Sequence, residues 1–351
     1  MFDFQARNSG LVPIARLQHR HGAPAIPAER PKLIERSIIA FGNISALAGF
    51  YGRRRHQRAR QVIHQRAMPF QRNRRYLRDR TVETLGLLYA MHWPFRQPET
   101  ARGVRRSILH DRLAAHGACF GETAGWERPN WFAPEGYALS EADLDKPDVL
   151  LNDNHPVVAD QPIREKWSFR RSNYFEHVGN ECRHVHEKVG IQDMSAFAKC
   201  EISGPGAEAW LDQLLTNAVP KKVGRVTLSY LLTNKGGVRS EFTVYKVAPQ
   251  RYYLVSAGAY ERHDHDYLKK AMPRDGSVRF ERLTTSMGVL VLAGPRARDA
   301  LSKITDADLS NEAFPWLTGK KISLGLAQVE ALRVNFIGEL GWEIHHPIEM
   351  Q

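Results

Sequence analysis

Apolar residues follow two different spacings along the second half of the chain. Short runs rich in Val, Leu, Ile and Tyr predict strands, and apolar residues three and four positions apart predict helices. The runs that predict strands lie at 226–232, 238–247, 252–255, 322–326, 329–336 and 342–346. One helix is predicted over about 174–188, and a second opens at 257–259 and contains residues 263–268. Gly236 and Gly237 favour a hairpin between the first two strands.

One arrangement of apolar run, turn and helix occurs twice. Residues 202–205 (Ile-Ser-Gly-Pro) end an apolar run and precede helical spacing up to residue 215; residues 292–295 (Leu-Ala-Gly-Pro) do the same up to residue 304. Proline suits the first turn of a helix because its missing N–H would have no partner there. The repeat predicts two strand–turn–helix units. Two such units sharing one core predict an α+β fold with helices packed on antiparallel sheets.

Between residues 107 and 162 the pattern changes three times. A short amphipathic helix is predicted before Gly117, and a strand follows at 118–122. The aromatic run 125–132 contains two tryptophans and predicts a packing element or pocket wall. The polar, proline-containing stretch 137–162 predicts a surface insertion.

The positive charge of the chain is concentrated at its N-terminal end. The formal net charge is +12, but residues 1–80 carry 17 Lys and Arg against 4 Asp and Glu, whereas residues 81–351 carry 33 against 34. The body therefore has no electrostatic attraction to nucleic acid. For residues 1–80 three interpretations are open: a basic arm for nucleic acid or a membrane surface, an Arg-rich organelle transit segment, or a disordered leader. The excess of Arg over Lys and the lack of regular apolar spacing favour the disordered leader.

Several classes of protein are excluded by what the sequence lacks. It has no apolar run near the ~18 residues that span a membrane, no signal-peptide pattern, and no GxGxxG, GxSxG or Walker loop. Three widely spaced cysteines fit a reducing compartment. Cys182 and His186 share a helix face, but no second cluster completes a metal site. We therefore expect a cytoplasmic protein that binds no nucleic acid, membrane or metal.

Two acidic residues stand where a ligand-binding carboxylate is useful. Asp264 lies near a predicted helix start, where the helix dipole favours an acid, and the small residues 257–259 leave room for a ligand. The alternative is a solvated helix start. Glu343 lies within an apolar strand, where an acid is costly to bury unless it is paired. It would either pair with an arginine such as Arg333 or bind a ligand that offers paired N–H donors.

Five stretches, in chain order, resemble one family. They are residues 107–132, 193–205, 227–238, 255–268 and 338–344. Together they resemble the folate-binding aminomethyltransferase family, which includes the T-protein of the glycine cleavage system and the C-terminal half of dimethylglycine and sarcosine dehydrogenases. The dehydrogenase branch is the nearer match, on residues 93–94, 99–102, 120–122, 125–129 and 263–264.

The resemblance implies a fold, a cofactor and a site. The family's lobes surround a central folate cavity, and the cofactor is tetrahydrofolate. The family's essential acid near folate N10 falls on Asp264, and its pterin-binding glutamate falls on Glu343. A carboxylate there accepts from the pterin ring N–H and the exocyclic amine together. Three further positions match residues lining the cavity: Phe197, Tyr230 and Leu232.

The chain also departs from the family pattern. The flavin-binding GxGxxG domain of the dehydrogenases has no counterpart in residues 1–80, so FAD is not expected, and the family's final barrel lobe is missing. We therefore expect a disordered segment at 1–80, a remnant of a flavoenzyme linker or central domain at 81–106, and a truncated folate domain at 107–351.

The resemblance also implies an activity. It is the tetrahydrofolate-dependent transfer of an aminomethyl or methylene unit from an iminium derived from an N-methylated amine. A flavoprotein subunit is the implied partner that supplies the iminium. The alternatives are a folate-binding module without catalysis and an inactive fragment.

Overall fold

The computed structural model describes residues 68–86, 98–137, 171–334 and 336–351. Most of the predicted leader and most of the predicted insertion lie outside the described residues. The described part divides into two units. The larger comprises residues 106–118 and 176–351, and the smaller comprises 68–86, 98–105, 119–137 and 171–175.

The smaller unit contains one helix and one hairpin. Its elements are α1 (Arg74–Gly86), β1 (Ala118–Thr123) and β2 (Trp126–Phe132), preceded by a 3₁₀ turn at Pro69–Arg72. The predicted aromatic packing element is therefore also a strand. Pro129 is tolerated there because both strands of a two-stranded sheet are edge strands. Trp131 is buried and contacts the rings of Tyr137 and Tyr174, with centroids 5.4 and 5.6 Å away.

Helix α1 runs through residue 80, the predicted end of the disordered leader. The guanidinium of Arg80 donates to the carbonyl oxygen of Thr100 at 2.7 Å and to the carboxylate of Glu122 at 3.1 Å. One turn on, Glu83 accepts from the backbone N–H groups of Glu99 and Thr100 at 2.9 and 3.0 Å. A charge count missed this because it does not distinguish a solvated arginine from one that is packed against carbonyls and carboxylates.

The larger unit is built on two five-stranded antiparallel sheets. Its strands are β3 (Gly190–Asp193), β4 (Ala198–Ser203), β5 (Val226–Leu232), β6 (Val238–Ala248), β7 (Arg251–Ser256), β8 (Arg279–Arg282), β9 (Met287–Ala293), β10 (Gly319–Leu324), β11 (Ala327–Leu332) and β12 (Gly341–Pro347). Sheet I has the order β5-β6-β7-β4-β8, and sheet II has the order β10-β11-β12-β9-β3.

Five helices accompany the sheets. They are α2 (His110–Ala115), α3 (Phe175–Glu187), α4 (Ala207–Leu214), α5 (Glu261–Ala271) and α6 (Ala297–Leu301), with 3₁₀ turns at Gly258–Tyr260 and Ile348–Met350. The strands predicted at 322–326 and 329–336 are present as β10 and β11, but both begin and end earlier. The mixture of helix and antiparallel sheet agrees with the α+β prediction.

The predicted duplication is present in both sheets. In sheet I, β4 passes through Gly204 and Pro205 into α4; in sheet II, β9 passes through Gly294 and Pro295 into α6. Gly204 and Gly294 have φ angles of 116° and 131°, which side-chain-bearing residues rarely adopt. A Cβ on Gly294 would lie 2.5 Å from the carbonyl oxygen of Lys188. Both turns therefore require glycine.

Each sheet buries one face under its own helices, in a core that the other sheet does not share. Helices α4 and α5 cover sheet I, and the resulting core includes Ile202, Trp210, Leu254 and Leu268. Helix α6 covers sheet II, and that core includes Leu292, Leu301, Trp342 and Ile344.

A third cluster joins the remaining faces of the two sheets, and we call it the inter-sheet layer. Its buried members are Val226, Tyr245, Tyr253, Val255, Leu332 and Val334. The first four come from sheet I, whereas the last two come from β11 and the residues that follow it. Apolar burial of this kind supplies most of the free energy that holds two sheets together.

Candidate functional site

Asp264 lies in the first turn of α5, where the helix dipole favours a carboxylate. Its side chain has no exposed surface. Oδ2 accepts hydrogen bonds from the hydroxyls of Ser240 at 2.9 Å and Ser256 at 2.8 Å, and Oδ1 lies 3.0 Å from Nδ1 of His263. Two strands and the helix thus hold this carboxylate by both oxygens.

These contacts place Asp264 on the helix-covered side of sheet I. Ser256 lies two residues from Leu254 on β7, and Ser240 lies two residues from Phe242 on β6. Residues two apart in a strand share a face, so both hydroxyls point to the helical core. Burial raises the pKa of Cys200 in this core, and the charge of Asp264 raises it further.

Glu343 lies in β12 on the other side of its sheet from the helical core. Trp342 and Ile344 belong to the core under α6, so alternation directs Glu343 toward the inter-sheet layer. Glu343 is 9% exposed. It does not pair with Arg333, whose guanidinium donates instead to the carbonyl oxygen of Phe314. Among the described residues, Arg333 therefore does not neutralise Glu343.

The partner of Glu343 is a buried histidine two residues further along β12. Nε2 of His345 lies 3.1 Å from Oε2 of Glu343, and its Nδ1 lies 3.1 Å from the hydroxyl of Tyr253 on β7. Burial lowers the pKa of His345, although the charge of Glu343 opposes this. Burial, and then the charge of Glu343, raise the pKa of Tyr253. Both groups are therefore neutral near pH 7.

The three partners assign the tautomer of His345. A carboxylate only accepts, so Nε2 carries the proton, and Nδ1 is then the acceptor for the Tyr253 hydroxyl. The chain of hydrogen bonds runs in one direction, from Tyr253 through His345 to Glu343. Sequence reasoning missed both partners. His345 lies two residues from Glu343, so alternation along β12 was the signal that could have found it. The contact of Tyr253 with His345 spans 92 positions and leaves no local pattern.

The three predicted cavity residues belong to the inter-sheet side of sheet I. Phe197 precedes β4 and packs against the inter-sheet layer. Tyr230 and Leu232 are 37% and 38% exposed and share a face of β5 with the buried Val226. Leu228 lies on the same face and is also exposed, so β5 presents a row of three apolar side chains. Period-2 alternation along β5 was the signal that could have added Leu228.

Four of the five predicted site residues therefore lie on the facing sides of the two sheets, and the fifth does not. Glu343, Phe197, Tyr230 and Leu232 belong to the facing sides of the two sheets, whereas Asp264 is held on the helical side of sheet I. The connection between the two acids is β7, which carries Tyr253 on one side and Ser256 on the other. A cavity shared by both acids stays a prediction.

His186, one of the two metal-ligand candidates on the predicted helix, has a structural partner. Nδ1 of His186 on α3 lies 2.8 Å from Oε1 of Glu339, and this carboxylate raises the pKa of His186. Within the described ranges, no group of three or more His, Cys, Asp or Glu side chains is placed to hold a metal ion. No helix in this part of the chain has the length and apolar character to cross a membrane.

Two antiparallel sheets, each continued through a glycine–proline turn into a helix and joined across a layer that contains a carboxylate, define an α+β protein of duplicated lobes. Residues 109–351 match the family model of the GCVT N-terminal domain. The chain belongs to this aminomethyltransferase family, and the resemblance noted in the sequence is confirmed. A second model, of the FAD dependent oxidoreductase central domain, matches residues 64–107.

Individual relatives agree with this assignment. The chain is 32% identical to 4-methylaminobutanoate oxidase (formaldehyde-forming) of Paenarthrobacter nicotinovorans over 82% of the chain and 32% of that protein. It is 34% identical to mitochondrial dimethylglycine dehydrogenase of Mus musculus over 77% of the chain and 28% of that protein. The chain thus spans about a third of the length of these curated relatives.

A solved structure supports the fold. The crystal structure of glycine cleavage system aminomethyltransferase T from Bartonella henselae matches 71% of the chain and 55% of that protein, with a TM-score of 0.52 and 21% identity.

Proposed function

We propose that the chain forms the tetrahydrofolate site of a one-carbon transferase within a protein like the dimethylglycine and sarcosine dehydrogenases. The observation that supports this most directly is the carboxylate of Glu343. Within the described residues, Oε2 is its hydrogen-bonded oxygen, while Oε1 accepts no hydrogen bond from that part of the chain. A nearly buried carboxylate oxygen that can still accept a hydrogen bond is stable only when a ligand or water donates one to it.

The donor pattern of a pterin fits this carboxylate. A pterin presents a ring N–H beside an exocyclic amine, and a carboxylate accepts such a pair in parallel. The apolar row of Leu228, Tyr230 and Leu232 on β5, with Phe197, would contact flat, apolar parts of the ligand. Tetrahydrofolate, when bound, supplies the amine nitrogens that take up the one-carbon unit.

In this proposal the two acids have different tasks. Glu343 binds and orients the pterin, and that binding accounts for proximity, the largest source of rate enhancement in a transfer of this kind. Asp264 holds or accepts the proton that the folate amine exchanges as it reacts. Ser240, Ser256 and His263 keep the carboxylate of Asp264 in place by both oxygens.

The proposed donor is an iminium derived from an N-methylated amine. The name of one relative, 4-methylaminobutanoate oxidase (formaldehyde-forming), describes the release of a one-carbon unit at the oxidation level of formaldehyde. A flavoprotein subunit or domain that oxidises the amine is the corresponding partner. The absence of bound FAD from this chain and its cytoplasmic location stay predictions.

A second candidate is a folate-binding module without catalysis. The complete burial of Asp264 favours it, because an acid that exchanges protons with a ligand must reach that ligand. In this case Glu343 and the apolar row would bind folate, and no transfer would follow.

Two measurements on the full chain test these proposals. Tetrahydrofolate is titrated while tryptophan fluorescence is followed, with p-aminobenzoylglutamate, which lacks the pterin, as the control ligand. The proposal expects saturable binding of tetrahydrofolate and far weaker binding of the control. Methylene transfer from formaldehyde, compared with the uncatalysed rate, then distinguishes the transferase from the binding module. Equal binding of the two ligands, or of neither, contradicts both candidates.

A further inference from the structure

We propose that Tyr253 and His345 are positioning residues for the carboxylate of Glu343. They hold it so that Oε2 is hydrogen-bonded to His345 and Oε1, the open oxygen, is left to accept hydrogen bonds from a ligand. This inference rests on the proposed function, because it assigns the ligand to Glu343. It adds two residues that contact no ligand and act through the carboxylate. The three side chains are called the relay here.

The geometry of the relay allows one arrangement of protons. Its two hydrogen bonds, both 3.1 Å, use both ring nitrogens of His345, and neither His345 nor Tyr253 is open to solvent. Reversing the direction would aim Nδ1–H at the tyrosine hydroxyl and leave Nε2 as an acceptor facing a carboxylate that has no proton to donate. Two acceptors would then meet in a buried layer, which is strongly unfavourable.

The charged groups around the relay come from several strands. Lys199 on β4 is fully buried, donates to the carbonyl oxygen of Ser195 at 2.7 Å, and opposes protonation of His345. His346 acts on His345 in the same sense, and Glu330 on β11 and Cys200 on β4 oppose ionisation of Tyr253. All of these favour a neutral imidazole beside a protonated tyrosine.

Two consequences follow for the ligand. The open oxygen of Glu343 selects groups that donate, so a pterin bearing N–H groups binds, whereas a ring presenting only acceptors at this point does not. Affinity should also be nearly independent of pH between about 7 and 8, because the pKa of His345 lies below its ordinary value and the imidazole is neutral across this window.

The chain contains a matched control for the tyrosine. Tyr245 pairs with Tyr253 across β6 and β7, belongs to the same inter-sheet layer, and donates its hydroxyl to Glu330 at 2.9 Å rather than to the relay. Tyr253→Phe and Tyr245→Phe each remove one buried hydroxyl. We expect Tyr253→Phe to weaken tetrahydrofolate binding about twofold to tenfold and Tyr245→Phe to leave it unchanged. Equal weakening by both would overturn the positioning role.

A second variant tests the histidine. His345→Phe keeps a ring in the layer but removes the Nε2–H donor, so Oε2 of Glu343 loses the hydrogen bond that holds it. Affinity for tetrahydrofolate should fall about twofold to tenfold in this variant, as in Tyr253→Phe. Wild-type affinity in His345→Phe contradicts the proposal.

A ligand-free measurement separates this inference from the proposed function. Nitrogen-15 NMR of the His345 ring reports which nitrogen carries the proton, and we expect Nε2–H at pH 7. The Nδ1–H tautomer, or an imidazolium, overturns the relay whether or not folate binds. A wild-type chain that shows Nε2–H but binds no tetrahydrofolate overturns the proposed function and leaves the relay supported.

Discussion

Replacement of Glu343 by glutamine is the sharpest test of the site, because His345 fixes the orientation of the new side chain. Nε2–H of His345 requires an acceptor, so the amide oxygen of the glutamine takes the place of Oε2. The amide NH₂ then takes the place of Oε1 and meets the donors of the pterin. The shape of the site is kept, and one acceptor becomes a donor.

The size of the effect follows from this exchange. Two donors that face each other leave one polar group unpaired in a nearly buried position, which costs about 1–3 kcal/mol. A difference of that size corresponds to about a tenfold to hundredfold loss of affinity. The charge of Glu343 is lost as well, and hydrogen bonds to charged groups are the stronger ones, so the upper part of this range is expected.

The assay is the tetrahydrofolate titration, with Glu330→Gln as the control. Glu330 lies on the neighbouring strand β11, opposite His345 in the register, and accepts from Tyr245. Its replacement changes the same chemical group in the same layer and should leave affinity within about twofold. Comparable losses in both variants, or wild-type affinity in Glu343→Gln, would refute the reasoning.

The remaining predictions concern Asp264, the smaller unit and two glycines at positive φ. Asp264→Asn should spare tetrahydrofolate binding and lower the rate of methylene transfer, because the proposal assigns this residue to the folate amine and not to the pterin. Arg102→Met should destabilise the smaller unit by about 3–5 kcal/mol in chemical denaturation, since it removes the guanidinium that donates to Glu127 at 2.9 and 2.6 Å. Gly294→Ala should destabilise the chain by roughly 3–5 kcal/mol. Gly236→Ala, at a positive φ with nothing near the added Cβ, should cost roughly 1–2 kcal/mol.

Each of these has an outcome that contradicts it. Equal loss of binding in Asp264→Asn and Glu343→Gln would mean that the two acids do not divide their tasks. A loss below about 1 kcal/mol in Arg102→Met would show that water replaces the ion pair. Similar melting curves for Gly294→Ala and Gly236→Ala would show that the glycine–proline turn can move away from the carbonyl of Lys188.

Elements with strong local signals were predictable from the sequence. The β5–β6 hairpin was found because alternation and turn glycines lie within a few residues of each other. The Gly204 and Gly294 turns were found because the repeat shows itself in adjacent residues. Strands β3 and β8 were not found. They are four residues long and lie at sheet edges, where exposed and charged side chains are favoured, so no apolar period marks them.

The candidate site shows the same limit. Asp264 and Glu343 could be proposed because an acid at a helix start and an acid inside an apolar strand are locally unusual. Distant partners could not be proposed. Ser240 lies 24 positions from Asp264, and Tyr253 lies 92 positions from His345, which it contacts. Such contacts depend on how the strands are ordered in the sheets, and the order is set by packing that a single sequence does not display.

Strand β7 contributes to the position of both acids, Asp264 and Glu343. Its residues alternate between the two faces of sheet I, so Tyr253 reaches across the inter-sheet layer to His345 while Ser256 reaches Asp264 on the helical side. A shift of β7 by one residue would exchange the faces and remove both contacts at once. The neighbours β6 and β4 hold this register with five and six paired positions. The orientation of both carboxylates therefore depends on the pairing of a central strand, which is among the most rigid parts of a sheet.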